Sequence, residues 1–441
     1  MNVLERQFHL KTLGTSVQTE VLAGATTFLT MAYIVLVNPA ILGQAGMPMA
    51  GVAAATCLAA GIGCILMGLL ANYPIALAPG MGLNAYFAFT VVNTMGVPWQ
   101  TALGLVFISG VLFLLLTFAG VRQMIVSAIP RALFSAIAAG IGIFIAFIGL
   151  KGAGIVTANP GTTVGLGDLH SPTALLALMG LAITGALEAW RVKGGILIGI
   201  VVTSIIGWGL HLAQWTPQPY SVAEMTATAF QLDIPGALGI GGKGFGLALL
   251  EILFVFLFVD LFDNVGTLVA VTKRAGLVQP DGAIPRLNRI LFADATATVV
   301  GSLAGTSTVV SYIESAAGVS AGGRTGLTAV VCGVLFLLTL FIAPWAQAIP
   351  AAATAPALIL VGAMMMKPLA EIEWDDPVVA IPAFLTLIAI PLTFSIANGL
   401  AFGIVAFAVL KLVTRRASRT DWLLYVLAAL FIARFAYMAA A

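Results

Sequence analysis

Two carboxylates three residues apart, Asp260 and Asp263, sit in an apolar run that begins near Leu247 and ends at Lys273-Arg274. On a helix, positions i and i+3 share a face, and Thr267 continues that face four residues beyond Asp263. In a bilayer a central Asp costs roughly 3 kcal/mol even on a lenient insertion scale. The pair therefore implies a cavity, a cation or a polar ligand that compensates it. A third intramembrane acid, Glu314, has no base beside it and is predicted one turn into a short helix flanked by Ser and Thr. It suits either a neutral buried acid or a ligand acceptor. Asn84 carries a donor and an acceptor on one side chain. Thr26, Thr27, Thr30 and Asn38 read as helix-packing groups, with Thr30 also able to line a cavity. Glu251 reads as solvated or structural, Asp294 with Arg289 as an inner-face pair, and Glu371 to Asp376 as a solvated acidic turn.

The elements that must position these groups follow from composition. Of 441 residues, 61% are hydrophobic and 8% charged, with a mean hydropathy of +1.09, whereas a soluble domain carries about 25% charged residues. The chain is an all-α polytopic membrane protein. Cys57, Cys64 and Cys332 lie in apolar runs, and His9, His170 and His211 lie at or outside segment ends, so neither a disulfide framework nor a metal site is predicted. No HExxH, GxSxG or GxxxxGK[ST] motif is present. The patterns of a zinc protease, a serine hydrolase and an ATP-driven pump are therefore missing, and transport driven by an ion gradient is the simpler reading.

Stretches of about 20 apolar residues fall at 20–41, 51–70, 73–94, 100–120, 131–150, 172–190, 193–211, 246–272, 289–303, 306–319, 326–344, 350–366, 377–395 and 397–413. With the N-terminus inside, all nineteen Lys and Arg except Lys151, Lys243 and Arg434 fall on the inner side, as the positive-inside rule asks. Both termini are then cytoplasmic, the first residues being a retained tail rather than a cleaved leader. Residues 421–438 could be a fifteenth span. Arg434 and the basic lead-in instead favour a helix lying at the inner interface.

Gly110 to Thr117 recurs as Gly333 to Leu340, Ile129-Pro130 as Ile349-Pro350, and Gly194 to Gly199 loosely as Asn398 to Gly403, in the same order. Fourteen spans divided into seven plus seven make the second copy inverted, as in secondary transporters, where broken helices meet at a midplane site. The third span, with Pro74, Pro79, Gly80 and Gly82, cannot continue a regular helix. It predicts an extended piece near Ile75 to Leu77 and a helix from about Met81. In the tenth, Thr306-Ser307-Thr308 is extended in character and suited to capping a helix start.

Phe258 to Asp263, Ala78 to Phe87, Thr30 to Val35 with Asn38-Pro39, and Gly305 to Thr308 leading into Tyr312 to Val319 and Gly322 to Gly326 together resemble the azaguanine-type (AzgA-like) purine permeases of the nucleobase–cation symporter family 2. The resemblance covers nearly the whole chain. It implies a uracil-transporter-like inverted repeat of fourteen segments with short strands in segments 3 and 10. It also implies proton-coupled, elevator-like uptake of purine bases, often by a homodimer, here in the cell inner membrane. The implied plan is a tail (1–19), a core domain (20–121 and 246–345), a gate domain (122–211 and 346–414), an outer loop (212–245) and a C-terminal interfacial helix (415–441). Candidate substrate-binding residues are Asn84, Asp260, Glu314, Thr30, Phe262 and Thr308, with Asp263 and Glu314 for coupling or structure. An acid at Asp260 leans the resemblance toward guanine and hypoxanthine over adenine, while Asn264 stands where Thr is common. No cofactor beyond the proton gradient and no nucleic-acid partner are expected. The rival readings are an anion (sulfate- or bicarbonate-type) transporter, a channel and an intramembrane aspartyl protease. Carboxylates around an anion would repel it, and the two Asp lie on one helix rather than on two.

Overall fold

The computed structural model describes residues 3–118, 131–212, 221–240, 246–279, 284–418 and 421–440. Arg122, Ile129-Pro130, Lys243 and Arg419 lie outside the described residues. The third and tenth stretches set the architecture. Each runs part of its course extended and part helical, because Pro79 lacks an N–H and Gly80 can turn the chain into a helix. The helices are α1 (Val17–Met31), α2 (Ile34–Gly43) and α3 (Met49–Leu66), then α4 (Met81–Ala85), which widens into π-helical turns over Tyr86–Thr94, and α5 (Trp99–Phe118). They continue with α6 (Arg131–Gly152), α7 (Pro172–Ala189), α8 (Gly195–Gly209), α9 (Leu247–Ala275) and α10 (Leu287–Ala304). The last are α11 (Ser315–Ser320), α12 (Gly326–Thr339), α13 (Ala351–Met364), α14 (Pro377–Thr393), α15 (Ile396–Val413) and α16 (Trp422–Ala440). Strands β1 (Leu77–Pro79) and β4 (Val309–Ser311) precede α4 and α11. Every apolar stretch of the sequence is thus helical or half extended. Among the described residues eight helices are long and apolar enough to cross a membrane, and four apolar ones are shorter.

Between α6 and α7, a segment with β-branched residues forms a solvent-exposed hairpin, β2 (Val156–Asn159) against β3 (Thr163–Leu166). The segment before α9 contains short helices at Val222–Met225 and Ile234–Ala237.

Packing separates the helices. α1 and α3 pack on α12, α3 and α5 on α10, and α5 also on α9. Elsewhere α6 packs on α13 and α14, α7 on α8 and α13, and α15 on α14 and α16. Small residues permit close approach: a Cβ on Gly333 would lie 2.6 Å from the Gly61 carbonyl oxygen. The C-terminal helix α16 packs on α15.

Glu20, which drew no attention in the sequence, is fully buried at the start of α1. Its carboxylate accepts from the Arg324 N–H at 2.9 Å, the Thr325 N–H at 3.2 Å, the Thr328 N–H at 3.3 Å and the Thr328 hydroxyl at 2.6 Å. A negative charge at the head of α12 satisfies donors that the helix leaves open and meets the positive end of its dipole. Replacing Glu20 with Ala orphans these donors at about 1–3 kcal/mol each before relaxation. The expected outcome is a clear fall in melting temperature in detergent, with Glu20→Gln intermediate, read by thermal-shift fluorescence.

Candidate functional site

The site is built where the two broken stretches meet. β1 and β4 pair antiparallel in the register Leu77↔Ser311, Ala78↔Val310 and Pro79↔Val309. The ladder extends at both ends. Gly80 donates its N–H to the Thr308 carbonyl at 2.9 Å, and Tyr312 donates to the Ala76 carbonyl at 3.0 Å. The Tyr312 hydroxyl reaches the Pro79 carbonyl at 2.5 Å. On the outer edge of β4, Thr298 of α10 exchanges two bonds with Val309: its hydroxyl donates to the carbonyl at 3.0 Å and accepts from the N–H at 3.1 Å.

Asn84, on α4, is fully buried and joins three elements. Its amide nitrogen donates to Asn38 Oδ1 at 2.5 Å, and its carbonyl accepts from the Ser307 hydroxyl. Asn38 in turn donates to Thr56 Oγ1 at 2.8 Å and to Thr306 Oγ1 at 2.9 Å. One face of Asn84 is therefore committed to holding the two broken stretches together.

The opening pair of acids separates. Asp260 is fully buried, and Asp263 is half-buried. Asn264, one turn after Asp260, donates to Asp260 Oδ1 at 3.2 Å and to Asp294 Oδ2 at 2.5 Å, and its carbonyl accepts the Ser311 N–H at 2.9 Å. Asp294 is thus a buried member of the site rather than half of an inner-face pair with Arg289. The amide spends both N–H groups on two carboxylates and ties them to the end of β4. Nothing in the sequence marks this role except that Asn264 lies at i+4 from Asp260.

Glu314 also sits differently from expectation. It is not inside a helix but directly precedes α11, because the chain stays extended through Ser311 and turns only at Ile313-Glu314. The Tyr33 hydroxyl, from the break between α1 and α2, donates to Glu314 Oε1 at 2.8 Å. Glu314 is half-buried and lines an open cavity of about 690 Å³ with Ile313, Met364, Met366 and Lys367. Glu314 is near enough for its charge to act on Asp263. Thr308 is fully buried, and its hydroxyl has no hydrogen-bond partner among the described residues. Thr30 is half-buried and donates to the Thr27 carbonyl at 2.8 Å. Phe262 lies on α9, with its side chain outside the described residues. No group of three or more His, Cys, Asp or Glu among the described residues could hold a metal ion.

The arrangement can accept hydrogen bonds from a polar ligand through two half-buried carboxylates, with amides and hydroxyls behind them. Comparison with known proteins agrees in kind. The model of the Permease family (Xan_ur_permease) matches residues 18–402. The adenine permease AdeP of Escherichia coli (strain K12) is 44% identical over 436 residues, 99% of this chain and 96% of that protein. The guanine/hypoxanthine permease PbuG of Bacillus subtilis (strain 168) is 44% identical over 443 residues, 98% of this chain and 99% of that protein. Among solved structures, the transmembrane domain of a cyanobacterium bicarbonate transporter, BicA, shares the fold with a TM-score of 0.66 at 16% identity, covering 86% of this chain and 97% of that one.

Asn264 supplies the sharpest test of this geometry. Asn264→Leu removes one amide donor from each of two buried carboxylates and the acceptor of one strand N–H, each worth about 1–3 kcal/mol. A marked loss of folded protein in detergent is expected, read by fluorescence-detected size exclusion. Asn264→Thr, with one donor instead of two, is expected to fall between Leu and the native residue.

Proposed function

This chain belongs to the Permease family, and on that premise we propose that it is a secondary transporter that takes purine bases across the cell inner membrane. It is a transporter and not an enzyme. The observation that carries the substrate class is Glu314. This half-buried carboxylate stands at the mouth of a cavity between the second broken stretch and the end of α13, with Asp263 close by and no Lys, Arg or His hydrogen-bonded to it among the described residues. An oxopurine presents ring N–H groups, guanine adds an amino group, and charge-assisted bonds to a carboxylate are the strong kind. An anion in the same place would be repelled. This counts against a sulfate or bicarbonate substrate, although the fold is shared with a bicarbonate transporter.

Relatives named for adenine and for guanine/hypoxanthine are equally similar, so overall identity does not choose between the bases. The acids favour guanine and hypoxanthine. In our reading Glu314 and Asp263 face the base, Thr308 and Asn84 back it, and Thr30 and Phe262 flank the path. Asp260 with Asp294 acts from behind through Asn264. Uptake is coupled to protons: a carboxylate is neutralised from outside, the base binds, and the core (20–121 and 246–345) shifts against the gate (122–211 and 346–414). The way the helices pack into two sets supports this division. Fourteen crossings in inverted halves, and a homodimer, complete the reading.

Radiolabelled hypoxanthine uptake at several pH values tests it. Glu314→Gln loses a charged acceptor worth about 1.5–3 kcal/mol, so uptake at limiting substrate is expected to fall tenfold or more. Asp263→Asn is expected to flatten the pH dependence, and Asp260→Asn to lower uptake with less effect on competition by unlabelled base. Unlabelled guanine should compete better than adenine, and sulfate not at all. Native uptake and pH dependence in all three variants would overturn the assignment.

A further inference from the structure

Helix α16 carries only one charged side chain, Arg434, over residues 422–440, yet it is not amphipathic in the way a surface-lying helix must be. Leu424, Leu427, Ala428 and Phe431 form one buried stripe at helical spacing. The opposite side is apolar too: Trp422, Val426, Leu430 and Ile432 are exposed. A helix in the interface plane needs a polar face toward water. One that is apolar all round belongs in a core or across a bilayer.

Both ends of this helix are anchored. At the near end the Lys411 ammonium meets Asp421 Oδ2 at 2.7 Å. At the far end Arg434 donates through Nε to Glu251 Oε2 at 2.7 Å and through Nη2 to Glu251 Oε1 at 2.5 Å, and Nη2 also reaches Asn398 Oδ1 at 3.0 Å. The pair is nearly buried, with 9% and 13% of the two side chains exposed. Thirteen residues separate the anchors on α15 (398 and 411) and thirteen on α16 (421 and 434), roughly 20 Å at 1.5 Å per residue. The two helices therefore form an antiparallel hairpin, and α16 runs back along the axis of α15. Its nineteen residues reach roughly 28 Å, near the 30 Å of a hydrocarbon core.

We propose that α16 is a further membrane crossing, pinned at its far end by Arg434 to Glu251 of the site helix α9 and to Asn398 of α15, so that residue 440 lies on the side of the membrane opposite residues 415–418. The charge pattern is consistent. Lys411, Arg415, Arg416 and Arg419 hold the near end inside, as the positive-inside rule requires. Arg434, which argued against a crossing while it stood alone, is neutralised by a bidentate carboxylate. Glu251, read from sequence as a solvated or structural acid, is its partner. The inference rests on the transporter reading only for the bilayer and its inner side. Arg434 is a positioning residue: it touches no ligand and fixes the outer end of the helix that bears Asp260 and Asp263.

Two measurements on the full chain test this, and neither depends on which substrate is carried. Ala417→Cys and Ala440→Cys are labelled separately with a membrane-impermeant maleimide in intact cells and in inverted vesicles. The native cysteines are buried and give little background. Opposite sidedness is expected, with residue 417 reacting only in inverted vesicles and 440 only in intact cells. Labelling of both from the inner side would overturn the crossing. For the pin, Glu251→Arg and Arg434→Glu are each expected to lower folded yield about tenfold by fluorescence-detected size exclusion. The double variant E251R/R434E is expected to recover at least half of it. Harmless single variants, or a double variant no better than the worse single, would overturn the pin. Loss of purine uptake with sidedness intact would count against the transport reading alone.

Discussion

Three residues of β1 against three of β4 are the contact on which the rest depends. The chain abandons helix twice in the most apolar part of the molecule, and a non-helical backbone there leaves N–H and C=O groups that neither lipid nor water can satisfy. Each break is tolerable only because the other supplies its partners, from the Gly80 to Thr308 bond at one end to the Tyr312 to Ala76 bond at the other. The pairing is antiparallel, as two oppositely directed halves require. It also sets Asn84 and Glu314, more than two hundred residues apart, at the two ends of one short ladder.

Polar side chains finish what the ladder begins. Thr298 bonds both backbone groups of Val309, Asn264 takes the N–H of Ser311, and Ser315 takes that of Ala76. The same residues sit beside the acids, so rigidity of the breaks and geometry of the site are one property. Asn264 shows this most directly, since it holds Asp260, Asp294 and the end of β4 with one amide.

Much of this was legible in the sequence for local reasons. Pro79 and Gly80 announce a broken helix whatever surrounds them, and apolar length announces the helices. Acids in apolar runs announce a site. The features that escaped are pairings between distant residues. Glu20 and Thr328, Asn264 and Asp294, and Glu251 and Arg434 are each ordinary in their own neighbourhoods and gain meaning only when packed together. The extended character of Thr306 to Thr308 is legible in the same way, but the pairing of Val309 to Ser311 with β1 delays the helix to Ser315, which leaves Glu314 just before α11 rather than one turn inside it. Arg434 counts against a crossing only while it is read alone, and its bidentate pairing with Glu251 is visible only in the packed structure.

The surroundings of the buried acids also sort them by role. Glu20 is consumed by helix-end N–H groups and the Thr328 hydroxyl, Glu251 by a guanidinium, and Asp260 and Asp294 share one amide. Each has a fixed donor within the protein, so a passing ligand would have to break that bond to use it. Glu314 receives a single tyrosine hydroxyl, and Asp263 has no hydrogen bond among the described residues. Both are half-buried, and Glu314 opens onto the cavity. A half-buried carboxylate with one hydroxyl donor or none, among the described residues, keeps acceptor capacity that burial makes costly to leave empty. On the proposed reading that capacity is met by what arrives and leaves, a proton or a base rich in N–H groups.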